Sequence, residues 1–563
     1  MWRVKALANA RHCCHAASRW LCYRTPSDAH KRLEVFIVAG EPSGDAIGAR
    51  LMRSLARRSA SEGFQIRFEG IGGERMTREG LQSLFPMSDL TVMGVTSVLT
   101  RLPRLWSRLK QTVQHVVKQR PVALITIDSK GFNRRLAERV TKAFPATATS
   151  GTQRPVLVQY VGPSVWAFKS GLFSTDYTPH TAAQRFAAPF DAILSVLPWE
   201  PPLYNELMAT RTAEGVECMR ATCSFVGYPA LDGIRDALAW LDRHVCTTKM
   251  PHADPLTCDE SRTNELAWKR VPPWGPNALL ARVPAEFEPS SKQHGACARS
   301  LDRLVSALST AALATRERLG IASDEHVVGI FAGSRLDELR QSIPLAHAAL
   351  EVLHKQHPHL VQRALVPVSC RKDASIVQSY VDTYVWPVPV TVVVPGDNIM
   401  PRAAGGFSVA EAEMRRLAMF AVANAAIAVS GTVTLELAAA GVPCVVIYPG
   451  HPLTAAIAKK LAVVRYVSLL NLMVDATVQP ELVFDQCNPV AVAHLLASML
   501  ELSTRRNTYV LTQRQHSMVA LLPFLQHWDS RATGFEDSIP AADKAAEEVW
   551  TLISSRLHVG KNK

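Results

Sequence analysis

Two strand-end turns in the second half of this 563-residue chain carry small, hydroxyl and cationic residues at spacings that suit phosphate oxygens. In "GIFAGSRLDEL", Gly333 allows close backbone approach, Ser334 offers a hydroxyl, and Arg335 presents a planar fork matched to phosphate. In "AIAVSGTVTLELAAAGVPCVV", Ser430 and Gly431 end a strand. Thr432 and Thr434 then open a helix whose first N–H groups favour a diphosphate. Glu436, one turn in, either complements the helix end or accepts hydrogen bonds from a ribose. Gly441 supplies the helix stop. That segment alone reads equally well as an ordinary capped βαβ unit. The neighbouring turn with Arg335 tips the reading toward a nucleotide-diphosphate cradle. No P-loop lysine pattern is present, which disfavours phosphoryl transfer from ATP.

The first half holds carboxylates at comparable places. "VFIVAGEPSGDAIGARL" runs from an apolar strand through a glycine turn into a helix. Its glycines fall at Gly40, Gly44 and Gly48, which is neither a dinucleotide fingerprint nor a P-loop. Asp128 ends the strand in "PVALITIDSKGFN". A carboxylate there reads as a general base toward a sugar hydroxyl or as an N-cap for the following helix. "YVGPSVWAF" offers Ser164 and Trp166 at another strand end, with Trp166 equally readable as a core anchor.

These turns need strands and helices to hold them. From Leu33 to about Leu231, short apolar runs alternate with amphipathic segments; Ile47, Leu51 and Leu55 share one helix face. Uninterrupted apolar strands between helices imply a parallel sheet covered on both faces. The rhythm stops at about 235 to 322, a polar, proline-rich insertion read mostly as loop, with a helical stretch from Cys297. It resumes at "HVVGIFAGSR" and continues through "RALVPVSC", "VTVVVPGDN" and "VPCVVIYPG", apart from an irregular patch at about 397 to 418. The expected fold class is α/β, with two Rossmann-like doubly wound parallel-sheet domains facing a cleft. Ligands in such sheets sit outside the carboxyl ends of the strands. The expected boundaries are a basic segment 1–32, a first domain 33–235, an insertion and linker 236–322 that is partly disordered, a second domain 323–500 and C-terminal helices 501–563.

Bulk composition agrees with a globular, anion-seeking protein. Apolar residues make up 48% and charged residues 20%, and the formal charge is +13, which favours anionic partners. No apolar run approaches the roughly 18 residues that span a bilayer, so membrane contact is expected to be peripheral. The eleven cysteines show no paired metal spacing, so no metal site is expected, and Cys444 reads as a small buried hydrophobe. The first 33 residues carry seven Arg and Lys and a single acid, Asp28. That reads as a mitochondrial transit peptide, the alternative being a disordered basic arm. In "RLPRLWSRLKQTVQHVVKQR", an apolar face including Leu102, Leu105, Trp106, Leu109 and Val116 lies among arginines and lysines. This fits a helix lying on anionic lipid or one packed between domains. With Trp106 as its only aromatic residue, the segment gives little support to nucleic-acid binding.

Nine motifs, "AGEPSGD", "GIGGERM", "SLFPMSDLTVMGVTSVLTRLPRL", "IDSKGFNRRLA", "YVGPSVWA", "FVGYP", "AGSRLDEL", "SGTVTLELAAAGVPCVV" and "RYVSLLNLM", stand in the order found in lipid-A-disaccharide synthases. The chain resembles that family over roughly residues 33 to 231 and 325 to 500. The basic leader and the insertions fit a eukaryotic, organelle-targeted relative.

The resemblance implies a GT-B glycosyltransferase that needs no cofactor and no metal. The implied reaction joins UDP-2,3-diacylglucosamine to 2,3-diacylglucosamine 1-phosphate with inversion, releasing UDP. By that resemblance Gly333, Ser334, Arg335, Ser430, Gly431, Thr432, Glu436 and Asn471 lie at the UDP-sugar. Ser43, Gly44 and Asp45 line the cleft. Asp128 is the first candidate for the base and Asp45 the second. The expected partners are the two acylated sugars and an anionic membrane, with no nucleic acid; a homodimer is compatible with the chain. The expected location is the mitochondrion, peripheral to a membrane.

The chain also departs from the family pattern. Gly162 stands where serine is usual, Tyr228 where histidine is usual, and Pro449 where arginine is usual. An aspartate is usual near Lys130, and "AGSR" replaces "PGSR". The lost histidine and arginine could each have contacted phosphate or sugar. Another UDP-sugar enzyme of the same fold, or a scaffold retaining the fold, are the competing readings.

Overall fold

A computed structural model describes residues 31–90, 95–144, 154–164, 167, 179–202, 204–205, 222–244, 291–333, 335–368, 371–394, 408–450, 455–456, 462, 464–474, 476–501 and 539–559. Ser334, Trp166, residues 1–30 and residues 245–290 of the expected insertion lie outside the described residues.

The first sheet contains β1 (Lys31–Ala39), β2 (Phe64–Ile71), β3 (Gln82–Ser83), β4 (Ala123–Ile127), β5 (Val156–Tyr160), β6 (Ala192–Ser195) and β7 (Thr222–Phe225). Every pairing is parallel, in the order β3-β2-β1-β4-β5-β6-β7. Its helices include α1 (Pro42–Ala60), α2 (Glu74–Arg78), α3 (Val95–Gln119), α4 (Lys130–Ala143), α5 (Pro179–Ala187) and α6 (Asp232–His244). β4 and β5 are buried along their whole length, as strands covered on both faces must be. Leu51 and Leu55 of α1 are fully buried, and Ile47 packs beside them. A Cβ at Gly48 would meet Met76 Sδ at 2.6 Å and Ile127 Cδ1 at 3.1 Å, so only glycine lets α1 sit this close to the sheet.

The second sheet repeats the plan with β8 (Val327–Phe331), β9 (Arg363–Pro367), β10 (Val390–Val393), β11 (Ala425–Val429), β12 (Cys444–Tyr448) and β13 (Glu481–Val483), in the order β10-β9-β8-β11-β12-β13. A long helix α7 (Ser291–Arg318) leads into it. It is followed by α8 (Leu336–Gln356), α9 (Arg371–Val381), α10 (Val409–Phe420), α11 (Thr432–Ala439), α12 (Leu469–Val474) and α13 (Pro489–Leu500). The expected insertion therefore begins and ends in helix, because Leu238 and Leu241 in α6, and Leu304 and Leu308 in α7, fall at helical spacing and are buried. The expected irregular patch likewise becomes helix from Val409 onward.

The two halves share one apolar cluster, in which Leu231, Ile234 and Leu238 of the first half meet Met414, Leu417 and Leu435 of the second. The last helix, α14 (Ala541–Val559), returns from the second half to pack on α1. Trp550 is buried there edge-on to Phe64, ring centroids 5.5 Å apart. Asp232 accepts the Ala541 and Ala542 N–H groups at 2.8 and 3.0 Å and so caps the incoming helix. Arg556 bonds Asp191, which also holds Arg154. The tail thus ties the first half to the chain's end.

Candidate active site

In both sheets the connection reverses direction between the first and fourth strands, where a crevice opens at the carboxyl ends. In the first sheet β1 and β4 are paired through Ala39 and Ile127, so Glu41 and Asp128 leave adjacent strand ends. In the second, β8 and β11 are paired through Phe331 and Ala428, so Gly333 and Arg335 emerge beside Ser430 and Thr432.

Asp128 and Ser129 have φ values of +50° and +36°, a region that non-glycine residues seldom enter. The surroundings enforce it. Asp128 N–H donates to Tyr160 O at 2.9 Å. Its carbonyl accepts from Asn133 Nδ2 at 2.7 Å and Gln159 Nε2 at 3.0 Å, both from fully buried side chains. Strain held in this way marks functional sites. Ser129, not Asp128, occupies the N-cap position of α4.

The Glu41 carboxylate sits beside Asp128 and crosses to the second half, where it pairs with the Arg335 guanidinium. Ser43 Oγ donates to Glu41 Oε1 at 3.0 Å. Burial disfavours charge on Glu41, but hydrogen bonding from Asp128 and the positive Arg335 outweigh it and hold the carboxyl below its usual range. Glu338, one turn into α8, takes Arg335 Nη1 at 2.7 Å and caps the helix by accepting Arg335 N–H at 3.2 Å. Gly333 has φ +93°, and a Cβ there would strike Glu338 Oε2 at 2.3 Å. The glycine is what lets this turn close.

A second bridge joins Tyr228 Oη to Thr432 Oγ1 at 3.2 Å. Burial, together with the nearby carboxylates of Asp128, Glu436 and Glu41, pushes the Tyr228 phenol up to about 12, although the Thr432 bond opposes this. The hydroxyl stays protonated. Behind it an ion-pair chain runs through the interface. Glu436 pairs with Arg416 at 2.9 Å, Arg416 with Glu413 at 2.8 Å, Glu413 with Arg50 at 2.8 Å, and Arg50 with Asp236 at 2.9 Å.

The structure also redirects several expected residues. Asp45 is buried, and its carboxylate accepts N–H groups of Gly73, Arg75 and Met76 at 2.7, 3.0 and 3.1 Å. Its oxygens hold the start of α2 and are not offered to a hydroxyl. Gly44 is buried, and a Cβ there would lie against Ala39 and Ile127 of the sheet. Asn471 is fully buried and saturated. Its amide donates to Gln479 O and Glu481, and its oxygen accepts Val478 and Gln479 N–H. It shapes the loop beside α11, where Gln479 Nε2 donates to Thr434 O at 3.2 Å. Ser430 Oγ donates to Val467 O at 3.0 Å, which fastens that loop to the strand end. Gly431 faces open space. Cys444 is fully buried, with burial pushing its thiol up to about 12, as a small hydrophobe.

Glu41, Tyr228, Glu338 and the Arg416–Glu413–Arg50 chain are absent from the sequence-based site. Glu41 carried a signal, since it stands in the same turn as Ser43, and so did Tyr228, which stands in "FVGYP" where a histidine is usual. The others come together only by packing.

Part of α3 fits each of its two readings. Leu109 and Val116 are buried in the core, whereas Trp106 is 52% and Leu102 37% exposed. Arg104 and Arg108 both pair with Asp89, at 2.7 Å, and the Arg139 guanidinium lies 4.5 Å from the Trp106 ring centroid. Among the described residues no helix is long and apolar enough to cross a membrane.

The family described as lipid-A-disaccharide synthetase matches residues 35–271 and 398–524. A lipid-A-disaccharide synthase of Rhodospirillum centenum is 30% identical over 528 residues, 94% of this chain and 96% of its own length. One from Ruegeria pomeroyi is 31% identical over 471 residues, 84% of this chain and 87% of its own. A protein of Arabidopsis thaliana named as a probable mitochondrial lipid-A-disaccharide synthase is 30% identical over 468 residues, covering 83% and 79%.

Proposed function

Because the chain belongs to the lipid-A-disaccharide synthase family, a group of glycosyltransferases, we propose how its own residues carry out the transfer. The donor is UDP-2,3-diacylglucosamine, held by the second domain, residues 323–500. The acceptor is 2,3-diacylglucosamine 1-phosphate, held by the first, residues 33–235. The diphosphate lies at Gly333, Ser334 and Arg335 and at the α11 start, Gly431 and Thr432. Arg335 and the helix end stabilise charge as UDP departs. Asp128 removes the proton of the acceptor 6-hydroxyl while its oxygen attacks the anomeric carbon from the face opposite UDP. The C–O bond to UDP breaks, its electron pair passes to the diphosphate, and the anomeric centre inverts.

One observation carries this assignment. Asp128 from one switch point and Arg335 from the other reach the same carboxylate, Glu41, across the cleft. Base and leaving-group stabiliser therefore face a common space.

Tyr228 takes the place usual for histidine. Its phenol, held at Thr432, supplies a neutral donor toward the diphosphate or transferred sugar. Leu102 and Trp106, with the basic residues of α3, rest on anionic lipid and let acylated substrates enter from the bilayer surface. Residues 1–32 deliver the chain to the mitochondrion, a reading supported by the name of the Arabidopsis relative.

The test is incubation of the full chain with both acylated sugars, following UDP release and the product mass. UDP release that requires both sugars, with a product of disaccharide mass, is the expected result. UDP release without acceptor, or a product from a different acceptor only, would replace this reading with that of another UDP-sugar enzyme.

A further inference from the structure

The interaction between Glu41 and Arg335 creates a conflict that the transfer must resolve. The diphosphate assigned to Arg335 approaches a guanidinium already held by two carboxylates, Glu41 and Glu338. Glu338 belongs to the same turn and also caps α8. Glu41 belongs to the other half and has a second partner, Asp128. Two carboxyl groups in hydrogen-bond contact share one proton, because both cannot remain ionised at that distance. Arg335 draws the negative charge onto Glu41, so the shared proton rests on Asp128. In that state Asp128 cannot act as a base.

We propose that Glu41 is a positioning residue that gives Asp128 its charge when a diphosphate engages Arg335. The anion competes with Glu41 for the guanidinium. Glu41 then loses its counter-charge, and the proton passes from Asp128 Oδ to Glu41 Oε. Asp128 is left ionised and Glu41 neutral. One proton moves within the pair and none is lost to solvent. The neutral Glu41 no longer repels the diphosphate, and the ionised Asp128 can take the proton of the acceptor hydroxyl. Donor binding thus prepares the base before attack. Among the described residues, the charged and titratable groups set against Glu41 are Asp128 at the end of β4 and Arg335 at the start of α8, with the Tyr228 phenol close by; Glu338 reaches it through Arg335, Glu436 through Tyr228, and Ser43 donates from its own turn. Of the groups bonded to Glu41, Asp128 is the one assigned to the attacking acceptor hydroxyl. This inference rests on the assignment of the diphosphate to Arg335.

The test compares Glu41→Gln and Glu41→Asp in the full chain, with thermal melts to establish folding. Glu41→Gln keeps the shape but can neither repel the diphosphate nor receive the proton. In it Asp128 is ionised both before and after the donor binds. The expected result is no rise in donor KM and an acid limb of the kcat/KM profile shifted up by about one pH unit, because a lone Asp128, and not a pair already holding one proton, then takes the inactivating proton. Glu41→Asp should keep the wild-type limb. UDP titration by calorimetry should show Glu41→Gln binding at least as tightly as wild type. An unmoved acid limb in Glu41→Gln, or equal losses in both variants with rising KM, would overturn the handover while leaving the transfer itself intact. Failure of the wild-type chain to bind UDP would overturn both.

Discussion

The Arg335 guanidinium of the second half is bonded to the Glu41 carboxylate of the first, and the same carboxylate touches Asp128. In the proposed reaction, proton removal and leaving-group stabilisation are therefore linked through one side chain.

Asp128→Asn retains the shape of the strand-end turn and removes the proposed base. Its kcat should fall by about 10²- to 10⁴-fold with UDP affinity unchanged. Steady-state kinetics with both sugars, alongside UDP calorimetry, checks this. Wild-type turnover would remove Asp128 from the mechanism.

Arg335→Ala takes away a charged, two-pronged hydrogen-bond donor. A charge-assisted contact is worth about 1.5–3 kcal/mol, so UDP binding should weaken by at least about tenfold. Arg335→Lys should recover only part of that, since an ammonium cannot reproduce the fork. The measurement is the dissociation constant for UDP in the three proteins.

Asp45→Asn separates structural from catalytic carboxylates. The variant loses charge-assisted acceptance from Gly73, Arg75 and Met76, at a cost of about 2–3 kcal/mol. The melting temperature should drop while kcat of the folded fraction stays at the wild-type value. A selective loss of kcat at unchanged stability would restore Asp45 as a candidate base.

Glu413 tests the buried chain between the halves. Burial favours its neutral form, but Arg416 and Arg50 overcome this and pull its carboxyl down to about 2. The unfolded chain therefore binds the proton more tightly, and this contribution is present above the ordinary carboxylate range. It is lost as pH falls from about 4.5 toward 2. Glu413→Gln leaves Arg50 and Arg416 short of a partner, at about 3–5 kcal/mol. Denaturant unfolding at neutral pH should show that loss, and the acid limb of the variant's stability curve should be flatter. Equal stability would mean that solvent replaces the pair.

The exposed end of α3 predicts lipid contact. Leu102→Ala with Trp106→Ala should weaken binding to vesicles containing anionic lipid while leaving UDP affinity unchanged. Co-sedimentation with such vesicles is the readout. Unaltered binding would move the membrane surface elsewhere.

The apolar runs "VFIVA", "ALITI", "VVGIF" and "AAIAV" announce buried parallel strands, since only a sheet covered on both faces tolerates them. The turns after them carry Asp128, Gly333, Arg335, Ser430 and Thr432. Their place at the strand ends follows from chain order alone, and so does the family, from nine motifs in register. Sequence could not show which polar side chains reach the cleft and which are used up inside. Asp45 and Asn471 look like ligands in a linear reading, but packing surrounds each with backbone groups that satisfy it. Nor could spacing along the chain bring Glu41 to Arg335, 294 residues away. That pairing depends on how the two sheets face each other, which is set by the shared core of α6, α7 and α10 and by α14 folding back onto α1. Local chemistry and periodicity are properties of neighbours in sequence, whereas partnership across a cleft depends on the angle and distance between two packed bodies. The sequence by itself determined the elements and the residue types at their ends; the tertiary structure decided which of them meet.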